Sequence, residues 1–574
     1  MQTKVLGIIG MGPRGLYALE SFIKALHTLV NVQILLFEET GNFGNGQVYD
    51  LNQAKSNWMN VSERVLTLEM RKAIKLDTIK IPSFPSFHDW LNEDYQKTSS
   101  EKPDYYPPRT KIGQYLSERF KSISMPLLEQ RKISLLTEQA EDIEVKDNGQ
   151  ICIRTNKNCY NNVNEVLLTI GHQPTKLDKQ MQEWEHFTSF NPTLKLFKTP
   201  YPIYDYLNHS QLNSKSKIGI RGFGLAMIDV ARGIALKFGN FIIDDEKTRA
   251  CHFKSSDVIT GMLIPFSLDG LPPAPKPLNG IIDTWFKPSE EDLSEFEIKI
   301  GNKDSQRSAE NTLFLIEAFA SIAATIYHKL PDAYLTENLS LNQTEHLIKQ
   351  WLLDQKTEHP ALLSQKQPAV KMMRDFVDMA TGKTAISLDY CIGQVWRFCQ
   401  PSVYAQLSFN ECSIKVFADI ITLDESTKRY SYGPPVESIQ QMIALAKAGV
   451  MNLELANNPA FELTSEGWHI ELKENSQIAN MMIDSVLDAP KIEAVNAPIV
   501  EKLLSKDFIE AIHDDLGIDT FENAYVKSAN TNTNVPIALL GRLAKGTIIG
   551  VDAIAECFGE RPKKWAKEAA NRFK

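Results

Sequence analysis

The chain opens with a compact apolar pattern. Val5 to Ile9 form a short run with one internal glycine, as expected of a strand buried on both faces. Leu16, Leu19, Phe22, Ile23 and Leu26 then recur at helical spacing, and Val32 to Phe37 is a second apolar run. Together these predict a strand–helix–strand unit. The same order returns later: Ile218 to Ile220 reads as a short buried strand, and 225–235 continues as an apolar helix. Pro108 opens a helix on which Ile112, Tyr115, Leu116 and Phe120 keep one face. Residues 133–155 predict short strands with Asp147-Asn148-Gly149 as a hairpin turn, and 163–170 predicts another strand. The aromatic run from Phe84 to Trp90 reads as core. The proline-rich stretch within 257–285 predicts irregular chain, and 305–405 predicts mainly helix, with amphipathic runs at 313–326 and 370–379. Residues 413–475 predict strands around a helix at 436–447. The C-terminus predicts a last strand from Ile537, a glycine turn at Gly541, helix from about Val551, and a helix start near Thr547.

Glycines punctuate both strand-to-helix junctions. The first reads G-M-G-P-R-G, with Gly10, Gly12 and Gly15 around Pro13 and Arg14. A tight turn, close backbone approach to a diphosphate and close helix–strand packing each need one of these glycines. The helix N-terminus then offers N–H groups and a positive dipole end to anions. Glu38 ends the second apolar run at roughly the 20-residue spacing of a ribose-binding acid. Gly41, Gly44 and Gly46 make the next loop flexible. The second junction reads R-G-F-G, with Gly222 and Gly224, but Met227 occupies the third position. It is read as a second dinucleotide site or as a degenerate structural repeat. Asp244 and Asp245 follow its helix, as do Lys247, Arg249 and Lys254. Acids favour NAD and bases NADP, so the preference stays open.

Bulk properties narrow the class. A chain of 574 residues has room for several domains, and 43% apolar with 23% charged residues is ordinary for a globular protein. A net charge of −9 argues against nucleic acid as a partner. No apolar run is long enough to span a membrane, and the opening strand leaves no room for a signal peptide. Seven scattered cysteines without a C-x-x-C pair predict reduced thiols, a cytoplasmic location and no metal site. No Ser-His-Asp or Cys-His pattern supports covalent catalysis.

Taken in order, G-M-G-P-R-G, the glycine loop ending at Tyr49, N-W-M-N-V (57–61), P-P-R-T-K-I-G-Q-Y-L (107–116), T-I-G-H-Q-P (169–174), W-R-F-C-Q-P-S-V-Y (396–404) and Y-G-P-P-V-E-S (432–438) resemble a family of bacterial FAD/NAD(P)-binding proteins. That family is similar to the two-dinucleotide-domain flavoprotein monooxygenases, amino-acid N-hydroxylases among them. The resemblance implies an α/β protein with a discontinuous Rossmann-like FAD domain, an inserted Rossmann-like NAD(P) domain and a helical segment. The expected boundaries are 1–185 and 476–574 for the FAD domain, 186–300 and 411–475 for the NAD(P)-like domain, and 301–410 for the helical segment.

The resemblance also implies site residues. FAD would be held by Gly10, Gly12, Pro13, Arg14, Gly15, Glu38, Gly46, Asn60, Gly171 and Gly541, and NAD(P)H by Gly222 and Gly224. Asn60, Arg109 and His172 are the candidate catalytic residues, with Asn57 and Arg397 beside them. Each has a plainer reading: a turn cap for Asn57 and Asn60, an ion pair for Arg109, a loop histidine for His172, and packing on aromatics for Arg397. Leu268 stands where related sequences often carry arginine. The implied activity is NAD(P)H-dependent oxygenation of a small polar substrate, such as an amino acid, through a peroxyflavin. A flavin reductase or dehydrogenase without oxygen insertion, a non-catalytic cofactor-binding scaffold and an RNA-modifying flavoprotein are the alternatives. Oligomeric state is not read from the sequence.

Overall fold

The computed structural model describes residues 3–26, 28–77, 79–92, 99–146, 149–528 and 535–574. In chain order, the strands of the two main sheets are β1 (Lys4–Ile9), β2 (Val32–Phe37), β3 (Ile133–Leu136), β4 (Glu165–Leu168), β5 (Lys195–Phe197), β6 (Ile218–Arg221), β7 (Leu263–Phe266), β8 (Met481–Asp484) and β9 (Ile537–Leu539). The helices used below are α1 (Pro13–Ala25), α2 (Arg109–Glu129), α3 (Leu225–Phe238), α4 (Leu313–Lys329), α5 (Leu388–Leu407), α6 (Ile414–Ser431), α7 (Val436–Lys447) and α8 (Glu560–Arg572).

The first sheet has the order β9-β4-β1-β2-β3, with every neighbouring pair parallel. Its edge strand β9 comes from the far end of the chain, so this domain is discontinuous, as expected. Continuous apolar strands suit a parallel sheet covered on both faces. Leu6 and Ile8 of β1 are fully buried, as are Leu16, Leu19 and Phe22 of α1. The C-terminal helix α8 covers α1, with Phe22 against Trp565 (5.8 Å between ring centres) and Phe573 (5.3 Å). The Phe84–Trp90 aromatics pack around Tyr115 of α2, which agrees with the core reading.

The second sheet, β5-β8-β6-β7, is also wholly parallel. Helix α3 follows β6, and the chain then returns as β7 on its flank. Helices α4 and α5 build the helical segment. Its buried centre is Trp396, whose indole N–H donates to Asp424 of α6 at 2.9 Å and whose ring meets Phe319 at 4.8 Å.

Several expectations need correction. Residues 239–245 do not continue the second sheet. They pair antiparallel with 250–255 in a separate ribbon, and alternating burial along 239–245 gives that strand one covered face. Asp244 and Asp245 therefore lie on that ribbon, and β6 is flanked by β7 and β8. Residues 413–475 begin with two helices, α6 and α7, before any strand. Val416, Phe417, Ile420 and Ile421 bury one helical face, although β-branched and aromatic residues favour strand in isolation. The 257–285 stretch contains β7 and a helical turn at Gly280–Thr284. Strand β8 belongs to the second sheet although it lies past the expected boundary at 475. Cys152 and Cys159 form a disulfide between adjacent strands, and the other five cysteines are free. Asp147 and Asn148 lie outside the described residues; the strands that flank them do pair as a hairpin. Instead of a helix near Thr547, a short helix begins at Ile554. Among the described residues, no helix is long and apolar enough to cross a membrane.

Candidate functional site

The backbone of the first glycine turn is tightly determined. Gly10 has φ +90°, and a Cβ there would lie 2.6 Å from the Thr169 carbonyl oxygen. A Cβ at Gly15 would lie 2.4 Å from the Gly10 carbonyl oxygen, so this glycine lets α1 sit against the turn. Gly12 differs: an added Cβ would make only an ordinary 3.7 Å contact with Gly46. Gly12 is the N-cap of α1, no side chain caps the helix, and Pro13 occupies its first turn. The free N–H groups and dipole end there suit an anion.

Glu38 ties the turn to the end of β2. Its Oε2 accepts the Met11 N–H at 2.8 Å, and its Oε1 accepts the Thr40 hydroxyl at 2.8 Å. The remaining lone pairs of a carboxylate can receive ribose hydroxyls.

These groups border a cavity of about 420 Å³. Its walls come from the carboxyl ends of all five strands of the first sheet: Gly10 after β1, Glu38 after β2, Glu138 after β3, Gly171 after β4 and Arg542 after β9. Ligands of open parallel sheets bind in this position. Four interstrand spacings of about 4.8 Å give a span of about 19 Å, the reach of an extended dinucleotide. Pro13, Arg14, Gly46 and His172 also line the cavity. Gly541, at φ +113°, sits beside this wall, where an added Cβ would approach Arg14 Nε at 3.1 Å. Arg14 in turn donates to the Val551 carbonyl at 3.1 Å. Burial and the nearby Arg542 cation hold the His172 imidazole below its usual pKa. Glu138, Arg542, Asp552 and Cys557 were not singled out from sequence. Arg542 adjoins the glycine that was, whereas Cys557 carries no local signal.

The second junction repeats the turn. Gly222 has φ +103°, and a Cβ there would approach Ser485 Oγ at 2.7 Å. Gly224 opens α3 without a side-chain cap and faces open space. Met227 is fully buried in the domain core, so α3 uses a large apolar contact where α1 uses a glycine. After β7, Leu268 is exposed, and Asp269 forms an ion pair with Arg429.

Other candidates fall elsewhere. Asn60 and Arg109 do not line the cavity. Arg109 pairs with Asp229 of α3 at 2.8 Å and lies over the Tyr201 ring. Tyr201 donates to the same carboxylate at 2.7 Å. Asp229 also pairs with the buried Arg232, which donates to the Ser56 carbonyl at 2.9 Å and covers the Trp58 ring at 4.0 Å. This network joins the 56–60 segment to α3, across the seam between the two sheets. Asn57 accepts the Arg109 N–H at its backbone oxygen, and its side-chain Nδ2 donates to Gln53. The Asn60 carbonyl accepts a hydrogen bond from Lys276, a residue sequence reasoning passed over. Arg397 pairs with Asp283 and packs over Phe398 at 4.5 Å.

Residues 7–173 match a family profile described as FAD-NAD(P)-binding. The chain is 21% identical to the uncharacterized protein YdhS of Escherichia coli over 88% of this chain and 87% of that one. It is 25% identical to the nitrosuccinic acid synthase npaA of Aspergillus oryzae over 39% of this chain and 34% of that protein, so it spans about a third of that relative. Among solved structures, the reduced form of the ornithine hydroxylase PvdA from Pseudomonas aeruginosa aligns over the whole of both chains at 10% identity, with a TM-score of 0.45.

Proposed function

We propose that this protein is an FAD-containing, NAD(P)H-dependent oxidoreductase, and within that class a monooxygenase of a small polar substrate such as an amino acid. The observation that carries the reading is the cleft across the carboxyl ends of all five strands of the first sheet, with an uncapped helix N-terminus and the Glu38 carboxylate at its wall. Bound there, FAD supplies hydride acceptance and oxygen activation. The chain's own residues do the rest. The Gly10–Gly12 backbone and the start of α1 hold the diphosphate, and Glu38 holds a ribose. The turn at Gly222 and Gly224 receives the diphosphate of NAD(P)H. Asp229, with Arg109 and Arg232 on either side, fixes the two nucleotide domains against each other. A buried seam of this kind keeps water from the reacting groups. One relative is named a nitrosuccinic acid synthase, a name whose product is a dicarboxylic acid bearing oxidised nitrogen. That supports nitrogen of an amino acid as the atom oxygenated.

The test is spectroscopic. The purified protein should show a flavin spectrum, as isolated or after reconstitution with FAD. Anaerobic NADH or NADPH should bleach it, and oxygen uptake in the presence of amino acids should match hydroxylated product. A protein that cannot be loaded with FAD removes the whole reading. Bleaching without product in any aerobic assay leaves a reductase.

A further inference from the structure

Residues 138–140 follow β3 and, with Phe37 at the end of β2, wall the cleft at its Glu38 end. From there the chain runs into a three-stranded antiparallel ribbon, Ala140–Val145, Ile151–Thr155 and Cys159–Val163. The turn between its last two strands clasps the wall. Thr155, Asn158 and Tyr160 donate to the Glu138 carboxylate at 2.6, 2.9 and 2.9 Å. The Asn156 N–H donates to the Gln139 carbonyl at 3.0 Å, and the Gln139 N–H donates to Asn156 Oδ1 at 3.2 Å. Lys157 Nζ donates to the Thr137 carbonyl at 2.9 Å. The Tyr160 ring meets Phe37 edge-on, with 5.2 Å between ring centres. Three consecutive residues at the exit of β3, and the last residue of β2, are thus held by one turn.

The Cys152–Cys159 disulfide closes that turn. Its two ends differ in access: Cys152 is 2% exposed, whereas Cys159 is exposed, as are Asn156, Lys157 and Asn158. The turn therefore buries little apolar surface of its own. Its hydrogen bonds lie where water can replace them, so each adds little net resistance to local opening. A covalent bridge acts differently, because it removes conformations from the opened chain. Exchange with an external thiol depends on access to a sulfur, and Cys159 supplies it.

We infer that Cys152–Cys159 is a reducible modification site that controls how firmly the cleft keeps its nucleotide. A thiolate of a dithiol reductant attacks Cys159 Sγ, the S–S bond breaks, and Cys152 leaves as a thiolate and takes a proton. The reductant's second thiolate then displaces Cys159, which leaves as a thiol, and the reductant departs as its own disulfide. Two electrons and two protons pass to the protein. Without the bridge the 155–160 turn opens more often, and the wall at 137–140 and Phe37 loses its clasp. That the nucleotide is FAD rests on the function proposed above; the reduction and the loosening of the wall do not.

The experiment compares full-length protein, air-oxidised and then treated with dithiothreitol. Hydrogen exchange of the flavin-free protein reads the wall directly: protection of peptides covering 137–140 and 155–160 should fall at least tenfold on reduction. FAD affinity, titrated by flavin fluorescence, should weaken at least fivefold. The double variant Cys152→Ala, Cys159→Ala should match reduced wild type in both measurements and ignore dithiothreitol; if it does not fold, wild type before and after reduction carries the test. Free thiols at both positions in the oxidised protein, unchanged exchange on reduction, or a response to dithiothreitol that persists in the double variant each overturns the site. A protein that cannot be loaded with FAD but loosens its wall on reduction keeps the reducible clasp and loses the flavin reading. A protein that loads FAD with the same affinity in both redox states keeps the flavin reading and loses this control.

Discussion

Glu165 offers a quantitative check on the first domain that is independent of any cofactor. It opens β4 opposite Leu6 of β1 and is fully buried. Its Oε1 accepts the Tyr525 hydroxyl and, at 3.1 Å, the Trp565 indole N–H, while Oε2 has no hydrogen-bond partner and lies 3.7 Å from Arg572. Burial raises its pKa to about 7, against the lowering effect of Tyr525, Arg572 and Trp565. The folded protein therefore holds a proton that the unfolded chain releases near pH 4.5. Between those values the folded state binds more protons, so stability falls as pH rises. The contribution is complete below about pH 4.5 and lost above about pH 7, and a shift of this size amounts to about 3 kcal/mol.

Glu165→Gln removes the titration and keeps an acceptor for Tyr525 and Trp565. Its amide N–H pair replaces an oxygen without a partner, at a cost of about 1–3 kcal/mol that does not vary with pH. The diagnostic quantity is thus the change in the difference between variant and wild type from pH 5 to pH 8. Hydrogen exchange of peptides from β4 and α8 reads it locally, even if the other domains unfold separately. The protection ratio of variant to wild type should rise by about 100-fold between the two pH values. A ratio that stays constant would refute a proton held by Glu165 in the folded state.

The nucleotide turns give sharper contrasts. Gly12→Ala should leave thermal stability unchanged while lowering FAD affinity at least tenfold, because its Cβ meets the protein only at 3.7 Å but enters the cleft. Gly10→Ala should lower both, since φ +90° and the 2.6 Å approach to Thr169 strain the fold by about 1–3 kcal/mol. Equal melting temperatures for these two variants would contradict the turn geometry. Asp269→Ser, at the exit of β7, should change the ratio of kcat/KM for NADH over NADPH at least tenfold. Asp244→Asn and Asp245→Asn should leave it within twofold, and the opposite pattern would return the ribose site to the antiparallel ribbon. The His172 ring should titrate below pH 6.5 by NMR, and Arg542→Gln should raise that midpoint; an unmoved midpoint would remove Arg542 as a cause.

What the sequence made legible was what one segment decides alone. The β1–α1–β2 unit needs only an apolar run, three glycines and a helical stripe, all within 37 residues of Met1, and its strands fall where the pattern places them. Gly222 and Gly224 were legible for the same reason. The partner of β6 was not. Residues 239–245 follow α3 directly and end in acids, so they imitate a second Rossmann strand, but their half-exposed face suits a ribbon. The fully buried β7 takes the sheet position instead. Helix α6 was misread because Val416, Ile420 and Ile421 favour strand locally, and only packing against the helical segment decides for helix.

The site divides along the same line. Gly10, Gly12, Gly15 and Glu38 sit together because their turn is local, whereas Glu138, Arg542 and Asp552 reach the cleft because β3 and β9 are the two edge strands of the same sheet. Charge balance is the least local property of all. Arg109 and Arg397 read as candidate site cations in the sequence, but in the fold Asp229 of α3 engages the first and Asp283 the second.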